Sequence, residues 1–253
     1  MHRFLRQLLY GLFYLSVVAV FAGGIYHFFF ISEPTCFDNI QNQNETGTDC
    51  GGSCIDCEFK TLTLKISEPL VFEAGQFKST ILTEITNPSI NYGLNDFEYE
   101  FQIFSSFGTI LPQRPHGRSY ILAGESKYII VPGIDIDRSY IGKVVLNIPN
   151  QNWEPKTSLP NYNFRFGNVQ TSQSQKSVQV SGMLKNDSSS GFPSVNLVGI
   201  LFDKSGKIIN ASSTKVDNIS AFSEIPFTIF YPPVNNIPEI NFAATKVFYE
   251  IKR

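Results

Sequence analysis

Four cysteines, the only ones in the chain, lie between Cys36 and Cys57 in the run CFDNIQNQNETGTDCGGSCIDC. Their spacing is C-x13-C-x3-C-x2-C, and three chemistries could use it. In an oxidising compartment Cys36, Cys50, Cys54 and Cys57 form two disulfides, with three pairings open. As thiolates they could hold zinc, because Cys54 and Cys57 form a CxxC. Zinc motifs, however, bring two close pairs together, and Cys36 stands far from Cys50. A redox CxxC needs a βαβ setting that the flanking sequence lacks. Disulfides are the expectation.

Oxygen ligands are interleaved with these cysteines: Asp38, Asn42, Asn44, Glu45 and Asp49. Ca2+ takes roughly six to eight oxygens, and a cross-linked loop could hold them open for it. The EF-hand spacing is absent. No cofactor is the base expectation, and Ca2+ is the one candidate. A second cluster, Arg114, His116 and Arg118 in the run PQRPHGR, could bind an anion or an acidic glycan. The plainer reading of that run is a solvated connection between strands. The chain has three histidines, His2, His27 and His116, and no G-x-S-x-G, P-loop, dinucleotide fingerprint or HExxH. One histidine in the body of the chain, without a nucleophile at readable spacing, is poor material for acid–base catalysis. No catalytic residue is expected, and the chain does not read as an enzyme.

Residues 7–32 contain no Asp, Glu, Lys or Arg, enough to cross the hydrocarbon of a bilayer as a helix. Arg3 and Arg6 precede the run and Glu33 follows it, which keeps the N-terminus inside and exports the rest. A signal peptide cut after Ala22 is the rival, but the apolar run continues through Ile31 and would leave a greasy mature end. Cys36 follows Glu-Pro-Thr, not the small apolar residues of a lipidation site. His27 sits where an imidazole can reach headgroup water, and a proton relay is the less favoured reading.

From Phe59 onward the period becomes two. Phe97, Tyr99, Phe101 and Ile103 alternate with Glu98, Glu100 and Gln102, a strand with one face buried. Strands are expected at 61–66, 79–86, 120–122, 127–131 and 142–148, with Gly, Pro, Asn and Asp between them. The 253 residues carry a net charge of −2 and no basic block in the body of the chain, which argues against nucleic-acid binding.

The second half repeats the first. Ile81, Thr83, Ile85 and Asn87 match Val180, Gly182, Leu184 and Asn186 at an offset of 99. Gly108 matches Gly206 at 98, and Glu125 matches Glu224 at 99. A tandem duplication is expected, joined by a linker at 149–160 where proline and polar residues interrupt the pattern.

On these residues two resemblances can be stated. The run from Cys36 to Cys57 resembles a Cys-rich motif of bacterial surface and secreted proteins, C-x-D-x-x-x-N-x-x-E-x-G-x-D-C-G-G-x-C-x-x-C. It is matched here by Cys36, Asp38, Asn42, Glu45, Gly47, Asp49, Cys50, Gly51, Gly52, Cys54 and Cys57. The second repeat resembles the FxLYD-type domain of bacterial envelope proteins through Val180-Ser-Gly182, Lys185-Asn186, Val195, Leu201-Phe202-Asp203, Gly206-Lys207 and Glu224. Phe222-Ser223 stands where that family has Pro-Gly. The first repeat is a more diverged copy. These resemblances imply an extracytoplasmic location and immunoglobulin-like folds without a catalytic site.

The expected fold class is all-β: two tandem Ig-like Greek-key β-sandwiches after an N-terminal transmembrane helix and a small disulfide-rich segment. The expected divisions are a cytoplasmic stretch 1–6, a span 7–32, a Cys-rich segment 33–58, sandwiches 59–148 and 161–253, and the linker. The expected protein is a single-pass, N-in cell-membrane protein with protein, cell-wall or glycan partners. It would bind or scaffold, the alternative being a Ca2+-stiffened sensing module.

Overall fold

The computed structural model describes residues 2–30, 35–174, 177–232 and 239–251. The chain forms two compact units, Met1–Thr61 and Leu62–Arg253.

In the first unit, helix α1 (His2–Phe30) contains no proline and, beyond Arg3, Arg6 and Gln7 at its start, is apolar around its whole circumference. Phe13, Val20 and Phe21 are 62%, 74% and 72% exposed. A helix with no polar face finds no stable place in water, and twenty-nine residues span about 44 Å at 1.5 Å each. Ser16 donates its hydroxyl to the Phe13 carbonyl at 2.7 Å, so its one polar side-chain group is satisfied within the helix. By length and composition the helix can cross a bilayer, a test that a signal sequence also passes. The last two residues of the expected span, 31 and 32, lie outside the described residues.

The second unit is built from antiparallel strands. The first half contains β1 (Lys65–Ile66), β2 (Leu70–Glu73), β3 (Ser79–Thr86), β4 (Tyr92–Ser105), β5 (His116–Ile121), β6 (Ser126–Ile134), β7 (Ile141–Asn147) and β8 (Trp153–Pro155). In one sheet β3 lies between β6 and the interrupted edge formed by β1 and β2. In the other β4 is central, with β5 on one side and β7 and β8 along the other. The second half contains β9 (Phe164–Gln173), β10 (Val178–Asn186), β11 (Phe192–Phe202), β12 (Ile208–Ile219), β13 (Glu224–Tyr231) and β14 (Lys246–Ile251). Its sheets run β13-β10-β9 and β12-β11-β14. The pairing scheme of the first half is thus repeated in outline, with β9 in place of the interrupted β1 and β2 edge and no counterpart of β8 among the described strands, and the protein is all-β with Ig-like antiparallel sheets beyond its helix.

The repeat also governs the turns. Asn87 and Asn186 are buried at 1% and 0% exposure at the ends of β3 and β10. Gly108 and Gly206 adopt φ of 83° and 85° and donate their N–H to Ser105 O and Asp203 O. One expected match shifts by a residue. Ser126 pairs with Thr86 and Glu224 with Lys185, so Glu224 stands at the place of Ser126. The partner of Glu125 is Ser223: their carbonyls accept the N–H of Asn87 and Asn186, each at 2.9 Å. The like side chains had suggested one alignment, and the hydrogen-bond ladder sets the other.

Residues 149–160, expected as a linker, carry β8, which pairs with Tyr92–Leu94 and buries Trp153. A tryptophan has too much apolar surface to be left on a connection. A Cβ on Gly93 would fall 2.6 Å from both the Ile121 carbonyl and Leu159 Cδ1, so only glycine fits between these segments.

The central strands β3 and β11 are buried on both faces. Val195, Leu197 and Leu201 point into the core of the second sandwich with Val180, Leu184 and Ile229. On the opposite face Val198 and Ile200 join Leu82, Phe72 and Ile130 of the first half. That second cluster is where sheets of the two halves meet face to face, so they form one continuous body.

Candidate functional site

The cysteine run closes on itself through Cys36–Cys54 and Cys50–Cys57, with Cα–Cα distances of 5.6 and 4.8 Å. Asn39, Gln43, Asn44 and Asp49 take left-handed φ between 48° and 64°, which folds the chain back far enough for Cys36 to meet Cys54. Gly51 and Gly52 lie where a Cβ would strike Thr46 Oγ1 at 2.0 Å and the Asn44 carbonyl at 2.2 Å. Cys54 and Cys57 are each bonded elsewhere, so the CxxC is not a redox pair. The four thiolates that zinc would require are likewise consumed.

The acidic side chains of this collar serve its backbone. Asp38 accepts the N–H of Thr35 at 3.0 Å and of Ile40 at 2.9 Å, and the Asn42 side-chain amide at 2.9 Å. Those bonds, the Thr35 amide first and then Asn42, hold its carboxyl below the ordinary range. Asp49 accepts the Asn39 N–H at 2.9 Å. Glu45, 6% exposed, accepts the N–H groups of Asn42 at 3.2 Å and Asp49 at 3.0 Å. Glu45 Oε1 lies 3.1 Å from Cys54 Sγ, but a disulfide sulfur is no thiolate ligand. Of the five residues expected to ligate Ca2+, the fold brings Asp38, Asn42, Glu45 and Asp49 into one hydrogen-bonded network, while the side chain of Asn44 is exposed. Asn42 Oδ1 is buried without a hydrogen-bond partner.

The basic cluster straddles a connection and a strand: Arg114 precedes β5, which begins at His116 and carries Arg118. Arg118 donates Nε to Asp96 Oδ1 at 3.1 Å and forms an ion pair with it, and Arg114 lies 3.5 Å from Glu100. His116 is exposed, with Nδ1 3.1 Å from the Arg114 carbonyl. Each guanidinium group faces a carboxylate of β4, which diminishes the pull on an external anion.

A third constellation gave no signal in the sequence. Lys127 on β6 and Glu250 on β14 form an ion pair with side chains 4% and 16% exposed. Ser119 Oγ donates to Glu250 Oε1 at 2.7 Å, and Lys127 Nζ lies 3.6 Å from the Tyr120 ring centroid. Burial and then the Glu250 charge push the Tyr99 hydroxyl up to about 12. Burial also raises Glu125, offset by Lys127 and by the Leu122 N–H donated to it at 2.7 Å. The pair joins the two sandwiches at 123 residues of sequence separation.

No family model matches this sequence, and no curated protein matches it. Among solved structures, red sea bream transglutaminase is 10% identical over 75% of this chain and 31% of its own, with a TM-score of 0.24. The chain therefore spans about a third of that enzyme's length, and a likeness this distant carries no argument.

Proposed function

We propose that this is a membrane-anchored, extracytoplasmic, non-catalytic binding or scaffold protein of a bacterial cell envelope. The observation that carries the reading is the buried Lys127–Glu250 pair, which welds two sandwiches into one arm. An arm of that kind holds a binding surface in fixed orientation, and its buried ionisable groups are spent on structure. The apolar helix α1 and a collar closed by two disulfides support export to an oxidising compartment. The test is in-cell crosslinking with protease accessibility. Expected are resistance of the collar to protease in intact cells, loss of that resistance on reduction, and crosslinks to envelope protein or glycan. A C-terminal half reachable only after lysis overturns the reading.

One observation favours a second reading, a collar stiffened by Ca2+: the unpartnered Asn42 Oδ1 beside Asp38. Calorimetry with and without Ca2+ decides it. A heat of binding and a raised melting point support the metal, and the absence of both removes it.

A further inference from the structure

Between the outer face of the β12-β11-β14 sheet and the first sandwich lies a cavity of about 310 Å3. Its walls come from both halves, so only their docking creates it. Tyr99 and Tyr128 supply aromatic surface, and both rings are held. Tyr128 packs against Phe248 with centroids 4.9 Å apart, and Tyr99 stands edge-on to Phe101 at 5.9 Å. Tyr99 also lies over Gly117, where a Cβ would fall 2.6 Å from its hydroxyl.

Each charge around the cavity stands beside an opposite charge. Arg118 is paired with Asp96, Lys215 with Asp217 at 2.8 Å, and Glu250 with Lys127. What remains available is uncharged. The Tyr99 hydroxyl, the Asn196 amide and the Ser213 hydroxyl make no side-chain hydrogen bond within the described residues. Cross-strand register puts Asn196 opposite both Lys215 and Glu250, and Val198 opposite Ser213, so these side chains share the face that turns toward the first sandwich.

The geometry points to a binding site for a neutral saccharide in this cavity, with Tyr99 and Tyr128 as ring platforms and Asn196 and Ser213 as hydroxyl partners. Sugar rings present apolar C–H faces to aromatic rings and hydroxyls that both donate and accept. The electroneutral rim disfavours an anion, and the absence of an unpaired carboxylate disfavours a cation. At about 300 Å3, the small end of ligand pockets, the cavity suits one or two rings. The inference rests on the binding reading above and gives it a ligand class and an address.

The test uses the full chain in detergent micelles, titrated with N-acetylglucosamine, glucose and galactose, with glucuronate as the charged counterpart. Saturation-transfer NMR and calorimetry are the readouts. At least one neutral sugar is expected to bind more tightly than glucuronate. Its affinity should fall about fivefold to tenfold in Asn196→Ala and in Ser213→Ala, the loss of one hydrogen bond each, and stay unchanged in Arg114→Ala. Melting curves that match the parent keep those variants interpretable. No binding by any neutral sugar, tighter binding of glucuronate, or equal affinity in the folded Asn196 and Ser213 variants overturns the site. In-cell crosslinking of the unmutated protein separates the two failures. Crosslinks that persist while sugar binding is absent leave the binding reading standing without this cavity, and loss of both brings down both.

Discussion

Asn87 and Asn186 spend their side chains in the same way, 99 residues apart. Asn87 Nδ2 donates to the carbonyls of Tyr92 at 2.7 Å and Leu122 at 2.9 Å, and its Oδ1 accepts the Ser89 N–H at 3.0 Å. Asn186 Nδ2 donates to Ser190 O at 2.8 Å and Ser220 O at 2.9 Å, and its Oδ1 accepts the Ser188 N–H at 3.0 Å. Each asparagine ties the end of one strand to a turn and to the far loop of its sandwich. Truncating either to alanine leaves two carbonyls and an amide of these part-buried bonds without their partner, each costing about 1–3 kcal/mol where water does not replace it. Asn87→Ala and Asn186→Ala are each expected to lose about 2–4 kcal/mol in denaturant unfolding, and a loss below about 1 kcal/mol at either would show water replacing the side chain.

The Lys127–Glu250 pair should behave as a buried charge pair. Glu250→Ala leaves Lys127 uncompensated and should cost about 3–5 kcal/mol, whereas Lys127→Met with Glu250→Leu should recover most of that. Thermal melting reads both. A single variant as stable as the parent would mean that water reaches the ammonium.

Glu125 makes stability depend on pH with a definite sign. Burial raises its carboxyl in the fold above the unfolded value, so its ionisation penalises the folded state. The penalty is absent below the unfolded pKa, grows as pH rises through the window up to the raised folded pKa, and is complete above it. Glu125→Gln keeps an acceptor for the Leu122 N–H and removes the charge. The variant should gain stability relative to the parent above that window and lose the advantage in acid. Parallel melting-temperature profiles of the two proteins across pH would contradict this.

Phe222 is 68% exposed at φ 55°, where the first sandwich has Gly124 at φ 71°. Both donate their N–H to the equivalent serine carbonyl, Ser188 and Ser89. A side chain at positive φ costs about 1–2 kcal/mol, and little burial offsets it here. Phe222→Gly is expected to stabilise by about 0.5–1 kcal/mol, part of the gain being lost to unfolded-state entropy. A destabilised variant would show that the exposed ring has a packing partner in solution.

Peptide mapping without reduction should recover Cys36 joined to Cys54 and Cys50 joined to Cys57. Replacing Cys36 and Cys54 by serine opens the longer loop, of separation 18 against 7, and should cost the collar about 3 kcal/mol. Hydrogen exchange at the Asn39 and Asp49 amides, both bound to collar carboxylates, is the readout. Unchanged protection would mean that the carboxylate network holds the loop by itself.

Much of this fold could be read from local pattern. β3 occupies the expected 79–86, and β7 and β6 cover the expected 142–148 and 127–131 to within a few residues. β5 was harder, because Pro115 and Gly117 resemble loop residues. Gly117 is instead the one residue that leaves room for the Tyr99 ring across the ladder. Of the strand expected at 61–66 only β1, Lys65–Ile66, forms, and a 3-10 turn at Cys57–Thr61 takes the start of that segment. In the candidate sites, the grouping of Asp38, Asn42, Glu45 and Asp49 followed from their closeness in sequence. Their work as amide acceptors did not, because it depends on which backbone N–H groups the left-handed turns leave free.

An apolar helix, a cysteine-closed collar and a duplicated all-β body are legible in the chain alone. Each of those rests on neighbours a few residues apart: an unbroken apolar run, clustered cysteines, side chains alternating across a strand. The tertiary structure decided which cysteines pair, that Trp153 belongs to a sheet rather than to a linker, and that Lys127 is buried. Lys127 shares a strand face with the buried Ile129, and Glu250, delivered by a strand of the other sandwich, supplies the countercharge that its burial needs. Such a contact leaves no local trace, because its energy comes from two distant segments being desolvated together.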